Sequence, residues 1–248
     1  AGAHQLTVLV GASRQDTRNT YNNSGNSSFI TDAFLWNNLN AGSGTKVVGS
    51  SRTENTIASY FGRINYNYND RYLLTATIRT DGASVFARNN KWGTFPSVAL
   101  GWNLSEEPFL QNLKTFAPML KLRVGHGQTG NASIGTNAFA AYSAYPAWLS
   151  AEEAIQIGVS LGRLENPNLK WETTTETNIG LDFSIFKGRV DGSVDVYNKV
   201  ISDLLAEKPI NSYHQVNTIM ANIGKTQSRG FEVALTTHNI RNQYVHWR

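Results

Sequence analysis

The sequence contains no cysteine and few charged residues, and it has no long apolar run. Of its 248 residues only 16% are charged. The absence of cysteine excludes a disulfide framework, a thiolate metal site and a cysteine nucleophile. No run of about 18 apolar residues occurs, which excludes a helical membrane protein but not a β-barrel, whose strands never produce such a run.

Sequence motifs for metal, cofactor or nucleic-acid binding are also missing. The five histidines, at positions 4, 126, 214, 238 and 246, lack metal-ligand spacing. The net charge is +4, but lysine and arginine are spread singly along the chain, which argues against a nucleic-acid partner. We therefore expect no metal, no cofactor and no nucleic acid.

Two further patterns resemble catalytic motifs without their context. Gly125, Gly127 and Gly130 form GxGxxG, but no helical pattern follows them to receive a pyrophosphate, so a dinucleotide site is not expected. Glu106 and Glu107 are adjacent in a connection, as are Glu152 and Glu153, and are interpreted as solvated turn charges rather than a catalytic pair. The sequence thus predicts a protein that is not an enzyme.

Alternation with a period of two residues dominates the rest of the chain. In SVALGWNL, Val98, Leu100 and Trp102 fall on one parity and small residues on the other, which is typical of a strand with one apolar face. The same pattern predicts about nine strands, near 5–12, 56–69, 72–81, 94–104, 119–127, 177–185, 190–197 and 217–238, with a last strand after 243. Long loops are expected between about 13 and 55 and between about 129 and 173.

The predicted connections run long, short, long, middling, long, short, long, short, and the middling one covers about Ser105 to Pro118. Such sorting is typical of an all-β, antiparallel, up-and-down transmembrane β-barrel, with short periplasmic turns and long extracellular loops. Periodicity alone also fits a soluble sheet. Two features favour the membrane: aromatic residues lie at the short-turn ends of strands, as in an interfacial girdle, and the opposite face has little of the charge of a solvated surface.

This interpretation assigns residues to two faces. Predicted to face lipid are Tyr66, Tyr68, Tyr72, Leu74, Val98, Leu100, Trp102, Leu122, Leu181, Phe183 and Val194. Predicted to face the lumen are Arg63, Thr77, Arg79, Arg123, Asp182 and Asp195. Within the longest loop, Tyr142, Tyr145 and Trp148 form an aromatic cluster that either contacts a substrate or lid, or packs the loop onto itself.

Several segments resemble the SusC/RagA family of TonB-dependent outer-membrane transporters of Bacteroidetes-type bacteria, and they occur in the family's order. They are RYLLTATIRTDGAS (71–84), NNKWGTFPSVALGWNLSEEPFL (89–110), LKLRVGHGQTGN (120–131), NPNLKWETTTETNIGLDF (166–183), GSVDVYNKVISDLL (192–205) and NIGKTQSRGFEVAL (222–235). Asp81, Trp92 and Trp171 match family positions in loops.

The resemblance implies a location in the cell outer membrane and a barrel of about 22 strands. It also implies a plug domain, a SusD-like surface lipoprotein as a lid, energy from the TonB complex, and a glycan or oligopeptide substrate. Against that pattern, residues 1–248 are expected to be part of the barrel domain, without the plug, the early strands and the C-terminal strand. The alternatives are a soluble all-β carbohydrate-binding or carbohydrate-active domain, and a structural or adhesive outer-membrane barrel without transport.

Overall fold

A computed structural model describes residues 2–135, 137–149, 154–211, 216–241 and 246–247. The chain divides into two compact units. The first unit comprises Ala1–Ser13 and Ala58–Arg248, and the second comprises Arg14–Ile57.

Strands account for most of the described residues. They are β1 (His4–Gly25), β2 (Val47–Tyr68), β3 (Tyr72–Ala83), β4 (Trp92–Asn103), β5 (Met119–Asn131), β6 (Ala141–Leu149), β7 (Ala154–Arg163), β8 (Glu172–Ile185), β9 (Val190–Ser202), β10 (Leu205–Pro209), β11 (Thr218–Asn222), β12 (Lys225–Thr237), β13 (Ile240–Arg241) and β14 (His246–Trp247). Short 3-10 helices cover Asp32–Asn37, Leu39–Ala41, Arg88–Asn90, Leu104–Glu106 and Pro108–Leu113. Within the described ranges, no helix has the length and apolar character needed to cross a membrane.

Eight strands form one sheet in the order β1-β2-β3-β4-β5-β8-β9-β12. Each of them is next to its sequence neighbour once two inserted hairpins, β6-β7 and β10-β11, are set aside. The pairs from β3 to β12 are all antiparallel. This order confirms the predicted all-β, antiparallel, up-and-down fold.

The two shortest connections between strands of the main sheet lie at the same end. At one end of the strands, here called the short-turn end, residues 69–71 join β2 to β3 and residues 186–189 join β8 to β9. Left-handed residues make these turns possible: Asn69 and Asp70 have φ of 53° and 55°. The opposite end, called the long-loop end, carries the connections 84–91, 132–171 and 203–224. The connection 104–118 is an exception to the predicted sorting, because it lies at the short-turn end and is longer than 84–91.

The long loop predicted between residues 13 and 55 is wrong over about half of its length. β1 continues to Gly25 and β2 already begins at Val47, so only residues 26–46 connect them. These strand extensions carry polar residues on both faces, as in RQDTRNTYNNS, so they show none of the apolar alternation from which strands are recognised. The Arg18 and Glu54 side chains pair across them within the second unit, with Nε 2.7 Å from Oε1.

Two other predicted segments are corrected. The excursion between 129 and 173 contains the end of β5, the hairpin β6-β7 and the first two residues of β8. The single strand predicted from 217 to 238 is two strands, β11 and β12, which belong to different sheets. Gly224 separates them with φ of +86°, a conformation that glycine adopts without the steric cost of a Cβ.

A small core lies at the long-loop end. Phe86 and Leu169 are completely buried there. Phe95 and Trp171 pack beside them, with ring centroids 5.5 Å apart in an edge-to-face arrangement. The core therefore joins the loop after β3, strand β4 and the segment that precedes β8.

Candidate functional site

The strand register aligns the apolar residues of neighbouring strands into continuous rows. One row runs from Leu74 through Leu100, Val124, Ile179 and Val196 to Phe231. A second row runs from Tyr72 through Trp102, Leu122, Leu181 and Val194 to Val233. We call the surface that contains these rows the apolar face and the opposite surface the polar face.

The apolar face is not covered by other parts of the described chain. Leu100 is 54% exposed, Val194 37% and Val233 62%. In a folded domain, burying such side chains contributes about 1.5 to 3 kcal/mol each, so a continuous exposed sheet of them points to an apolar environment outside the chain. The buried core of the molecule lies elsewhere, at the long-loop end.

Aromatic rings follow one another along the short-turn end of the apolar face. His4 lies 4.8 Å from Tyr68 between ring centroids, Tyr68 lies 6.3 Å from Tyr72, and Tyr72 lies 6.3 Å from Trp102. The last two contacts are stacked. A row of amphipathic rings at this level is what an interfacial girdle requires.

Glu107 anchors the end of this aromatic row. The Tyr72 hydroxyl and the Trp102 Nε1 both donate to its Oε1, at 2.7 and 2.9 Å, and Arg71 Nη1 lies 3.8 Å from Oε2. The Glu107 side chain is only 6% exposed. The prediction that Glu107 is a solvated turn charge is therefore wrong, because two ring donors and a guanidinium replace its water.

The same contacts set the ionisation of Glu107. The hydrogen bonds from Trp102 and Tyr72 favour the carboxylate, and they lower the pKa of Glu107 below its ordinary value although burial acts in the opposite direction. Glu107 is therefore charged at neutral pH. Its negative charge holds both ring donors in place.

A second aromatic pair lies at the other end of the apolar face. Tyr60 and Trp92 stack with centroids 5.9 Å apart. On β4, Trp92 and Trp102 are ten residues apart and on the same face. At a rise of about 3.3 Å per residue and a strand tilt of about 40°, the two tryptophans are separated by about 25 Å along the barrel axis. This is the height of the apolar band of a membrane barrel.

The charged side chains Arg63 and Arg79 of the polar face form hydrogen bonds with neighbouring side chains. Arg63 Nε donates to Thr77 Oγ1 at 3.1 Å. Arg79 Nε donates to Asp81 at 2.8 Å, and its Nη2 donates to Ser59 Oγ at 3.0 Å. These residues all lie on the face opposite to Leu74 and Leu100, as the alternation predicts.

Arg123, Asp182 and Asp195 form a three-residue cluster on the polar face. Arg123 donates to both oxygens of Asp182, at 2.7 and 2.8 Å, and its Nη2 donates to Asp195 at 3.1 Å. Gly180 lies directly between Arg123 and Asp195 in the register. A Cβ at Gly180 would lie 2.8 Å from Arg123 Nη2, so the absence of a side chain there lets the guanidinium cross β8.

The segment 166–172, NPNLKWE, connects several loops at the long-loop end, a role not recognised from the sequence. Asn222 Nδ2 donates to the carbonyl oxygens of Lys170 and Asp203, both at 2.9 Å, while Lys170 N donates to Asn222 Oδ1 at 2.9 Å. Trp171 Nε1 donates to the Lys91 carbonyl at 3.0 Å. The available signal was the segment's asparagine and tryptophan content between two strands.

Asp81, Trp92 and Trp171 are all expected in loops. This is wrong for Trp92, which begins β4, and for Asp81, which lies within β3, whereas Trp171 lies in the connection immediately before β8. Tyr142 lies on β6 and is 70% exposed, so it is available to a substrate or lid. The side chains of Tyr145 and Trp148 lie outside the described part of the structure, and the proposed contact stays a prediction for all three.

A meander of antiparallel strands with an exposed apolar face, an opposite face of hydrogen-bonded charged residues, and tight turns at one end is typical of an outer-membrane β-barrel. The chain belongs to the TonB-dependent receptor β-barrel family, because the family model described as "TonB dependent receptor-like, beta-barrel" matches residues 2–248. Its members are outer-membrane receptors rather than enzymes, which confirms the predicted location and the predicted absence of an enzymatic activity.

Two curated relatives illustrate the similarity. TonB-dependent receptor P26 of Formosa agariphila is 38% identical over 250 residues, which are 99% of this chain and 25% of the relative. TonB-dependent receptor SusC of Bacteroides thetaiotaomicron is 39% identical over 203 residues, which are 79% of this chain and 20% of that protein. The chain thus spans about a quarter of the length of such relatives.

Solved structures agree with this family. A chain of the RagAB peptide transporter superposes with a TM-score of 0.83 at 25% identity, covering 98% of this chain and 26% of that one. A ferric enterobactin receptor of Pseudomonas aeruginosa superposes with a TM-score of 0.57 at 14% identity, covering 94% of this chain and 31% of the receptor. The second likeness concerns the fold alone. Together with the family match, these comparisons confirm the resemblance seen in the sequence.

Proposed function

We propose that this chain forms part of the barrel wall of an active importer that carries glycans or oligopeptides across the outer membrane. Import is driven by the TonB complex, and a SusD-like lipoprotein acts as a lid. No bond is made or broken. The observation that carries the proposal is the exposed apolar face of a sheet in a chain that belongs to the TonB-dependent receptors.

In this proposal the apolar face contacts outer-membrane lipid. Support comes from the exposure of Leu100 and Val194, and from the two aromatic groups at the ends of the face. Acyl chains cover the apolar rows, while the Tyr72 and Trp102 rings lie at the periplasmic interface. Residues 1–248 then belong to one barrel domain of a longer receptor.

The polar face lines the wet interior. Charged clusters such as Arg123 with Asp182 and Asp195 are half-exposed, which suits a lumen that a hydrated substrate crosses. At the long-loop end, Tyr142 projects from the β6-β7 hairpin where an aromatic ring can contact a sugar ring, a peptide side chain or a lid.

The oligopeptide class is supported by a similar solved structure, and the glycan class and the lid by the resemblance of the sequence to the SusC/RagA family. RagAB is described as a peptide transporter and importer, and it matches nearly the whole of this chain. The relative named SusC is a TonB-dependent receptor. We therefore place an oligopeptide or a glycan in the lumen, with lid closure above the long loops.

Uptake by the full receptor in its native host tests the proposal. The receptor gene is deleted, and growth and uptake are measured on a defined oligopeptide mixture and on oligosaccharides as sole nutrient. We expect deletion to abolish uptake of one of the two substrate classes, and the intact gene to restore it. In a strain without functional TonB, surface binding of that substrate should persist while uptake is lost.

Unchanged uptake of both classes, together with altered surface assembly or adhesion, would instead show a structural or adhesive barrel. Affinity purification of the tagged receptor in mild detergent tests the lid separately. A surface lipoprotein should copurify in about equal amount, and its absence would remove that part of the proposal.

A further inference from the structure

On four neighbouring strands the apolar face contains a row of polar residues. Directly above the apolar row that ends at Phe231, the register aligns His126 of β5, Thr177 of β8, Asn198 of β9 and Arg229 of β12. We call these four residues the polar row. They lie on the same face as Leu100 and Val194, although each could form hydrogen bonds with water or a ligand.

Side chains of the polar row interact in pairs. His126 Nδ1 lies 2.9 Å from Thr177 Oγ1, and Arg229 Nε donates to Asn198 Oδ1 at 3.1 Å. Arg229 and His126 are exposed, and Thr177 and Asn198 are half-exposed. The row is therefore accessible from the same side as the apolar rows beneath it.

The charges on this face have one sign. Across β3, β4, β5, β8, β9 and β12 as the structure describes them, every aspartate and glutamate has the parity of the polar face. The charged residues on the apolar face of these strands are Arg229 and Lys225, four residues apart on β12. Two exposed cations with no acidic residue on their face favour an anionic group.

The height of the polar row suits a headgroup. Arg229 lies eight residues from Thr237, where β12 ends near the short turns. At a rise of about 3.3 Å per residue and a tilt of about 40°, this corresponds to about 20 Å along the membrane normal, within an apolar band about 25 Å tall. The row thus lies near the outer-leaflet interface, and Lys225 lies beyond it.

From this arrangement we infer that the polar row and Lys225 bind a phosphorylated glycolipid of the outer leaflet. The two cations contact phosphate groups, His126, Thr177 and Asn198 contact sugar hydroxyls, and the acyl chains lie on the apolar rows below. This inference rests on the proposed function, because it requires the apolar face to contact lipid. An arginine at this depth is costly in hydrocarbon, and a phosphate of the bilayer offsets that cost.

Bound glycolipid is the direct test. The full receptor is purified from native outer membranes in mild detergent, and the phosphorylated glycolipid that copurifies is quantified by mass spectrometry. We expect Arg229→Gln combined with Lys225→Gln to lower it about tenfold, the effect of losing a charge-assisted hydrogen bond. Arg229→Lys should retain most of it.

Lys199→Gln is the matched control, because it removes one positive charge at the residue next to Asn198 but on the polar face. It should leave the bound glycolipid unchanged. Equal glycolipid in the wild-type receptor and in the Arg229→Gln, Lys225→Gln variant, with both correctly folded, would overturn the inference.

A fluorophore on a single introduced cysteine, with brominated lipids as quenchers, separates the two proposals. In receptor freed of its bound glycolipid, quenching at Val194→Cys and at Thr177→Cys is expected, and adding the glycolipid back should reduce the quenching at Thr177→Cys alone. In the glycolipid-free receptor, quenching at Val194 without quenching at Thr177 would show that lipid does not reach the polar row, and the glycolipid would be refuted. Absence of quenching at Val194 would refute the lipid-facing surface itself, and with it the proposed function.

Discussion

At the scale of single residues, Leu100 is the position where the orientation of the sheet has the largest energetic consequence. It lies in the middle of the apolar face, between Leu74 and Val124, and is exposed. If acyl chains cover this position, Leu100→Arg should destabilise the receptor by about 2 to 4 kcal/mol. Denaturant titration of the full receptor refolded into lipid vesicles measures this difference.

Ala99→Arg is the matched control for Leu100→Arg. Ala99 is the neighbouring residue on the polar face, where an arginine remains in water, so little loss of stability is expected. Equal destabilisation by both variants would show that the cost arises from strand disruption and not from hydrocarbon.

Glu107 is the residue whose ionisation should affect stability. Its pKa is lowered in the folded state by the hydrogen bonds from Trp102 and Tyr72. The stabilising contribution is therefore complete above the ordinary carboxyl value of 4.5, and it is lost as the pH falls below 4.5 through the lowered pKa of the folded state. Thermal unfolding across this pH range should show the loss.

In Glu107→Gln the acid-induced loss of stability should be smaller than in the wild type, because no carboxylate remains to be protonated at this position. Glu106→Gln serves as the comparison, since Glu106 pairs with Lys114 at 2.8 Å in a half-exposed position. A wild-type pH profile in Glu107→Gln would show that the anchoring of the aromatic row does not depend on the charge.

At the scale of secondary-structure elements, Asn222 connects the β10-β11 hairpin to the segment 166–172. It exchanges hydrogen bonds with both the N–H and the carbonyl of Lys170. In Asn222→Ala these bonds are lost and the Lys170 amide must find water, so the hairpin should open more often. Hydrogen exchange in 205–209 and 218–222 should then become about tenfold faster.

Lys208→Ala on the same hairpin is a suitable control, because Lys208 is exposed and lies at the far end of β10 from the contact with Lys170. Its exchange rates should match the wild type. Unchanged exchange in Asn222→Ala would indicate that the other hydrogen bonds to the segment 166–172, from Asn166 Nδ2 to the Met220 carbonyl and from Leu205 N to Glu172 Oε2, suffice to hold the hairpin.

At the scale of the whole molecule, the two faces of the sheet should differ in solvent. The chain has no cysteine, so single cysteines at residues 97 to 100 can each carry a fluorophore. We expect lipid-soluble quenchers to act on positions 98 and 100 and water-soluble quenchers on 97 and 99, because side chains alternate along β4. Quenching without this period of two would contradict the membrane orientation.

The sequence predicted the fold well where one face is apolar and poorly where both faces are polar. Alternation predicts β3 and β4 to within two residues, and it predicts one end of β8 and of β9 but not the other end of either strand. The extensions of β1 and β2 are not predicted, because the segment RQDTRNTYNNS shows no alternation of apolar and polar residues although it forms part of a strand. Predicted residues such as Leu100 and Arg123 could be assigned to opposite faces, since the parity of a strand is fixed by covalent geometry.

Thus the sequence by itself determined the strand pattern, the two faces and the family, because alternation and local motifs are properties of neighbouring residues. Only the tertiary structure decided which distant residues meet: Glu107 beneath Tyr72 and Trp102, Asn222 on Lys170, and Arg229 in line with His126 across four strands. These contacts depend on strand order and register, which are set by interactions between segments far apart in the chain and leave no periodic signal in any one of them.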